Sequence, residues 1–300
     1  MPAEEKTDEK YMLRCLDLAA LGAGRVAPNP MVGAVLVYAG RIIGEGYHKA
    51  FGEPHAEVHA IAAVPRELNP RIPESTLYVN LEPCNHQGKT PPCTDFILRA
   101  GIKKIVIANV DPNPVVSGKG IHRLRQAGCM VISGVLEGAG AWLNRRFFTF
   151  HKKKRPYIML KWAQTKDGFF ARKTGRQDWI TGETARRLVH RWRSEESAIL
   201  VGSGTVLTDN PRLTNRLWWN AAQPMRVIID RYLRVPPSAH VFDDTGQQVL
   251  VYNLKKEDKN GHITYIRIPD GPELLHAMLN DMYRRGILSL MVEGGAVISE

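Results

Sequence analysis

The sequence predicts an α/β protein of two domains. Short β-rich apolar runs alternate with segments of helical spacing along the whole chain, which argues for layered helices and sheet. The alternation breaks at a basic stretch before Pro156 and then restarts. At 300 residues the chain also exceeds what one core usually serves. We therefore expect one α/β domain over 1–150 and a second α/β domain over 151–300.

In chain order, Met12, Cys15, Leu16, Ala19 and Ala20 give residues 8–21 a helical spacing. Residues 31–38 and 41–48 flank Ala39-Gly40 and read as a hairpin. Pro54 suits the first turn of a helix over 55–64, because its missing N–H would be unpaired there anyway. Strands are expected at 76–81, 104–109 and 130–135. Helices are expected at 96–100, ending at Gly101, and at 121–126, ending at Gly128. The run 145–155 (RRFFTFHKKKR) is the densest basic patch and reads as a solvated connector between the domains. Beyond it, strands are expected at 157–162, 198–201, 226–229, 248–252, 264–268 and 288–292, and helices at 183–193 and 273–284. Val201-Gly202-Ser203-Gly204-Thr205 lacks the third glycine of a dinucleotide fingerprint and reads as a strand-to-helix turn.

Composition narrows the class. Hydrophobic residues make up 44% and charged residues 24%, an ordinary globular balance. No run of 18 apolar residues is present, so no membrane span is expected. The first ten residues are polar and acidic, unlike a signal peptide, so a cytoplasmic location is the expectation. Four cysteines are too few for a disulfide scaffold. Cys15 and Cys129 sit in apolar runs and read as buried hydrophobes, whereas Cys84 and Cys93 sit in polar, Pro- and Gly-rich sequence where cysteine more often has a chemical role. The net charge of +11 is concentrated in the second half, +8 against +3. That excess fits nucleic acid or small phosphorylated ligands.

The chemistry concentrates at His55, Glu57, Cys84 and Cys93. One imidazole and two thiolates make three ligands for zinc, and an open fourth position would hold a water acidified toward a pKa of about 7. Zinc rather than iron follows from the ligand types. A carboxylate that is not a ligand must then carry protons to the leaving amine, and Glu57 is placed for it. The zinc-deaminase signature runs His-x-Glu, then Pro-Cys-x-x-Cys. Here the second cysteine comes nine positions after the first, not three. Residues i and i+2 on a regular helix do not share a face, so His55 and Glu57 converge only if His55 lies in an irregular first turn. Alternatives remain open at this point. His59 could replace a ligand, or His48, His59 or His86 could close a structural site. A base deaminase acting on RNA and a non-catalytic zinc-stabilised binding module are the rival functions.

The segment Leu81-Glu82-Pro83-Cys84-Asn85-His86-Gln87-Gly88-Lys89-Thr90-Pro91-Pro92-Cys93 resembles the bifunctional riboflavin-biosynthesis deaminase/reductase family. So do Ala27-Pro28-Asn29-Pro30-Met31-Val32-Gly33, Asp111-Pro112-Asn113-Pro114 and Gly118-Lys119-Gly120. In the second half the match continues through 161–168, Trp179-Ile180-Thr181, Asp209-Asn210-Pro211-Arg212-Leu213-Thr214 and Val292-Glu293-Gly294-Gly295. The resemblance implies a cytidine-deaminase-like three-layer domain followed by a dihydrofolate-reductase-like α/β domain. It implies zinc-dependent removal of the 2-amino group of a diamino-hydroxy-pyrimidine bearing a ribosyl phosphate, then NADPH-dependent reduction of the ribosyl chain to ribityl. Asn29, His48, His86, Lys89 and Asn113 would contact the deaminase substrate. Lys161, Gln177, Arg193, Leu213, Arg216 and Glu293 would face the reductase substrate, although Arg191 and Arg193 also read as a solvated face of a basic helix. Ala163, Trp179, Thr205, Asp209, Arg231, Gly294 and Gly295 would lie near the cofactor. The partner expected is this small phosphorylated pyrimidine, with no nucleic acid, no membrane, and a homo-oligomeric assembly. The family's reductase domain normally continues past Val292-Glu293-Gly294-Gly295, so the second domain is expected to stop short at Glu300.

Overall fold

The structure is a computed structural model and describes residues 3–86, 91–168, 181–219 and 222–294. The chain divides into two compact units, Met1–Lys153 and Lys154–Glu300.

The first unit runs α1 (Ala3–Ala20), β1 (Gly33–Tyr38), β2 (Arg41–Tyr47), α2 (Ala56–Ala62), β3 (Thr76–Leu81), α3 (Cys93–Arg99), β4 (Lys104–Asn109), α4 (Lys119–Gln126), β5 (Met130–Ser133), α5 (Glu137–Leu143) and α6 (Arg145–Lys153). Its strands form one sheet in the order β2-β1-β3-β4-β5. The hairpin β1–β2 and the pair β1–β3 are antiparallel, while β3, β4 and β5 are mutually parallel. Successive residues of a strand face opposite sides, and this sheet uses both. Ala34, Leu36, Leu77, Val79, Ile105 and Ile107 pack with Ala56, Ala60, Ile97, Ile121 and Leu124 from α2, α3 and α4. Val35, Val37, Tyr78, Val106 and Ala108 pack with Tyr11, Met12, Cys15 and Leu18 of α1. The result is three layers. Ile105 has no exposed surface, and Ile105→Ala is expected to cost about 2–5 kcal/mol, read as a lower urea midpoint for this unit.

The second unit runs β6 (Tyr157–Leu160), α7 (Glu183–Glu195), β7 (Ala198–Gly202), α8 (Ser203–Asp209), β8 (Met225–Ile229), β9 (Val249–Asn253), β10 (Asp258–Asn260), β11 (Ile263–Arg267), α9 (Leu274–Arg284) and β12 (Ser289–Val292). Its sheet has the order β10-β11-β9-β8-β7-β12-β6 and is parallel except for β10. A parallel sheet covered on both faces needs near-continuous apolar strands, and the sequence supplies them. Ala198, Leu200, Val227, Leu250 and Leu290 face Met278 and Met282 of α9. Ile199, Val201, Ile228, Val251 and Met291 face Val206 of α8, with Val189 and Trp192 of α7 against the same cluster.

Several expectations are corrected here. The basic run 145–155 is not a solvated connector through most of its length: residues 145–153 form α6, whose Phe147 and Phe148 are buried. Its aromatic residues anchor the helix, while Lys152 and Lys153 stay exposed. The helix expected to begin at 96 begins at Cys93 instead, with Pro92 as its N-cap. The strands expected to reach 135 and 162 end at Ser133 and Leu160. Among the described residues no helix is long and apolar enough to cross a membrane.

Candidate metal centre and companion cavity

His55 is not in the helix. It is the N-cap of α2, with φ −76° and ψ 168°, an extended conformation. Glu57 lies in the first turn that follows. The i and i+2 problem thus disappears, because one residue obeys strand geometry and the other helix geometry. Cys84 lies three residues past the end of β3, and Cys93 opens α3. The Cys93 amide donates to Cys84 Sγ at 3.3 Å, and the Thr94 amide donates to the Cys84 carbonyl at 3.2 Å. These bonds bring the nine-residue step back on itself.

His55 Nδ1 lies 3.1 Å from Cys93 Sγ and 3.5 Å from Cys84 Sγ. The three ligand atoms fall within 4.8 Å of one another, and among the described residues no other His, Cys, Asp or Glu joins them. The donor set, one imidazole and two sulfurs, fits zinc with a position left open. The hydrogen bond with Cys93 pulls the Cys84 thiol well below its usual range, and the same bond, with burial, pushes Cys93 up. Hydrogen bonding to Cys84 raises His55.

Glu57 is 2% exposed, and its Oε2 has no hydrogen-bond partner. Burial raises its carboxyl, against the opposing influence of His55. A buried carboxyl oxygen without a partner costs stability unless something else meets it. Here it lies beside the three ligands, with a side-chain hydrogen bond between the carboxyl group and Cys93.

His48 is buried with both ring nitrogens engaged: Nδ1 with the Pro54 carbonyl at 3.1 Å, and Nε2 with Asn29 Nδ2 at 3.1 Å. Nδ1 therefore carries the proton, and Nε2 accepts from Asn29. Burial lowers the His48 pKa, so the ring stays neutral. It stands edge-on to His55, centroids 5.3 Å apart, and has no lone pair left for a metal. His59 is likewise outside the ligand group. His59→Ala is expected to leave zinc stoichiometry at one per chain by elemental analysis; loss of the metal would exclude this ligand set. His86 is exposed, and Asn113 is half-buried with its Oδ1 accepting the Val115 amide at 3.1 Å. Lys89 lies outside the described residues.

In the second unit, a cavity of about 740 Å³ brings together Lys161, Arg193, Thr205, Asp209, Leu213, Arg216 and Glu293. Lys161 follows β6, Thr205 sits just past β7 on α8, and Glu293 follows β12. These are the carboxyl ends of three adjacent parallel strands, where open α/β sheets hold their ligands. The volume falls in the range of cofactor and ligand sites, roughly 300–1,000 Å³. Ala163, Arg231 and Gly294 do not line it, and Arg231 is exposed and paired with Asp270. Gln177, Trp179 and Gly295 lie outside the described residues.

Arg193 is no solvated face. Its Nε and Nη2 donate to the two Glu293 oxygens at 2.6 and 2.7 Å, and Nη1 donates to the Thr214 carbonyl at 3.0 Å. Arg191, by contrast, is exposed and pairs with Glu195 one turn on. The sequence also gave no sign of His190. Its Nδ1 accepts the Arg216 amide at 3.1 Å, and burial, with Arg193 and Arg216 nearby, lowers it to about 4. It is a neutral prop beneath the arginine. Buried histidines of this kind have no sequence signature, since the partner is a backbone N–H.

Comparison with known proteins adds the following. The family model described as the cytidine and deoxycytidylate deaminase zinc-binding region matches residues 5–109, and that of the RibD C-terminal domain matches residues 156–300. The riboflavin biosynthesis protein RibD of Aquifex aeolicus is 44% identical over 292 residues, covering 96% of this chain and 81% of the relative. That of Escherichia coli is 42% identical over 311 residues, covering 97% and 83%. Among solved structures, a diaminohydroxyphosphoribosylaminopyrimidine deaminase/5-amino-6-(5-phosphoribosylamino)uracil reductase from Thermotoga maritima superposes with a TM-score of 0.87 at 44% identity, covering 97% of this chain and 82% of that one. Acinetobacter baumannii RibD superposes at 0.88 with 36% identity, covering 98% and 82%.

Proposed function

The chain belongs to the bifunctional riboflavin-biosynthesis deaminase/reductase family, and from that premise we propose how its own residues divide the two reactions. The first unit deaminates 2,5-diamino-6-(5-phosphoribosylamino)pyrimidin-4(3H)-one. The second reduces the ribosyl side chain of the product to ribityl with NADPH. The observation that carries the reading is the convergence of His55, Cys84 and Cys93 beside a buried, unpartnered Glu57 oxygen.

Zinc held by His55, Cys84 and Cys93 would supply an acidified water at neutral pH. Glu57 would take one proton from the attacking water and pass it to the adjacent ring nitrogen, then take the remaining hydroxyl proton and pass it to the departing amine, so that the C2–N bond breaks to leave a carbonyl and ammonia. Neutral His48 holds the Asn29 side chain, and Asn29 offers its remaining amide hydrogen and carbonyl to the pyrimidine edge. Asn113 fixes the ring from the carboxyl end of β4. His86 and Lys89 meet the ribosyl phosphate.

In the second unit NADPH supplies the hydride. Lys161, Gln177, Arg193, Leu213, Arg216 and Glu293 hold the ribosyl substrate, Arg193 acting as half of a pair with Glu293. Thr205 and Asp209, which line the cavity, would hold the cofactor together with Trp179 and Gly295.

The test is an assay on the diaminopyrimidine ribosyl phosphate with ammonia release and NADPH oxidation followed separately. Ammonia release should be lost on chelation and return with zinc. NADPH oxidation, supplied with the deaminated intermediate, should survive chelation. Release of ammonia that is indifferent to the metal would refute the deaminase assignment, and no NADPH oxidation with the intermediate would refute the reductase one.

A further inference from the structure

The end of β3 carries a buried carboxylate that the proposed chemistry does not use. Glu82 is 4% exposed. Its oxygens accept four backbone N–H groups from a single segment. Oε2 takes those of Asp111 at 3.1 Å and Gly118 at 2.9 Å, and Oε1 takes those of Gly120 at 2.9 Å and Ile121 at 3.2 Å. That segment leaves β4 and runs into the first turn of α4.

Two features show that this is a built contact. Gly118, the N-cap of α4, has φ +74° and no side chain to satisfy the helix's first amides. Those donors have no partners within a helix, and Glu82 supplies acceptors from a neighbouring strand. A side chain at Gly120 would place its Cβ 2.1 Å from the Pro83 carbonyl, so the segment approaches the strand end more closely than any other residue allows. The strand end is tied as well, since the Glu82 amide donates to the Asn109 carbonyl at 2.9 Å. Glu82 stands two residues before Cys84, and the segment it grips contains Asn113.

We propose that Glu82 is a positioning residue for the deamination. It clamps segment 111–121 to the strand end that leads to Cys84, so that Asn113 and the metal ligand keep a fixed separation. The inference rests on the reading that Asn113 touches the pyrimidine. The internal bonds of the segment, from the Asn113 amide to Asp111 Oδ1 at 2.7 Å and from the Val115 amide to Asn113 Oδ1, shape the loop but do not dock it. Docking by Glu82 is what converts a shaped loop into a placed one. A misplacement of about 1 Å in a positioning group can cost around 10²-fold in rate.

Glu82→Gln keeps the shape but turns a donor toward two of the four amides. In the full chain loaded with zinc, we expect kcat/KM for ammonia release to fall by about 10²-fold, mainly through KM. Metal content should be unchanged, as should the thiolate-to-metal absorption of the cobalt-substituted protein. Hydrogen exchange should quicken at the amides of 111, 118, 120 and 121. NADPH oxidation on the deaminated intermediate should hold at the parent rate. Gly120→Ala, which pushes the same contact apart from the other side, should reproduce the KM-weighted loss and serves if Glu82→Gln does not fold. Unchanged kcat/KM in either folded variant overturns the proposal, as does unchanged exchange. Loss of zinc or a shifted cobalt spectrum also overturns it, because Glu82 would then support Cys84 and not the loop. If the parent protein releases no ammonia, the functional reading fails instead, and the exchange data still report whether the clamp exists.

Discussion

Glu57→Gln is expected to lower ammonia release by roughly 10²–10⁴-fold while the chain keeps its zinc and its NADPH oxidation. The side chain is 2% exposed, its Oε2 has no protein partner, and the one side-chain hydrogen bond of the carboxyl group is with Cys93. Gln has nearly the same volume and keeps one acceptor oxygen, which leaves the packing of α2 largely undisturbed. What it lacks is the ability to take a proton and give it back. The proposed ligands are His55, Cys84 and Cys93, so removing the charge at position 57 should leave metal stoichiometry intact. Reading ammonia, zinc and NADPH oxidation on the same preparation separates loss of proton transfer from loss of structure. Ammonia release at the parent rate would remove Glu57 from the mechanism.

The second large effect is expected at Arg193–Glu293. Side-chain exposures of 12% and 8% make this a largely buried ion pair. Removing one partner strands the other charge. Glu293→Leu, or Arg193→Met, should therefore cost about 3–5 kcal/mol, seen as a fall in the urea midpoint of the second unit. The double variant should recover most of that loss, because apolar residues of similar volume often replace a buried pair at little cost. Its reductase activity should not recover. A double variant as unstable as the singles would mean that the damage comes from packing or from the lost Thr214 contact, and not from a stranded charge.

The convergence of His55, Cys84 and Cys93 was legible because their chemistry is carried by residue type and spacing. Cys84 and Cys93 stood out as cysteines in polar sequence, and His55-Ala56-Glu57 as a pairing of ligand and base. The long strands were legible because parallel strands covered on both faces must be apolar throughout, as in β7 and β9. Where the sequence misled, a competing signal dominated. Charge in residues 145–155 hid the helix that Phe147 and Phe148 anchor. Two prolines before Cys93 obscured a helix start, since proline marks both loops and first turns. Pro70 and Pro73 likewise left the 3₁₀ segment Arg66–Glu74 unrecognised. Glu82, His190 and the Arg193–Glu293 pair were invisible for a different reason. Two of them meet backbone amides far away in sequence, and the third joins residues 100 positions apart. Nothing local marks such partners.

The extended backbone of His55 has a further consequence. His55 and Glu57, the proposed ligand and proton carrier, lie on two sides of a change in chain periodicity, from about two residues per repeat to 3.6. Their spacing of two is a property of that junction and not of the helix. Substitutions along the outer face of α2 can change its solubility or its neighbours without altering how the pair converges. One residue added between His55 and Glu57 would rotate the carboxyl about 100° around the helix axis and turn it away from the metal. The motif therefore tolerates drift in composition but not in length, and its fixed element is the joint where strand geometry gives way to helix.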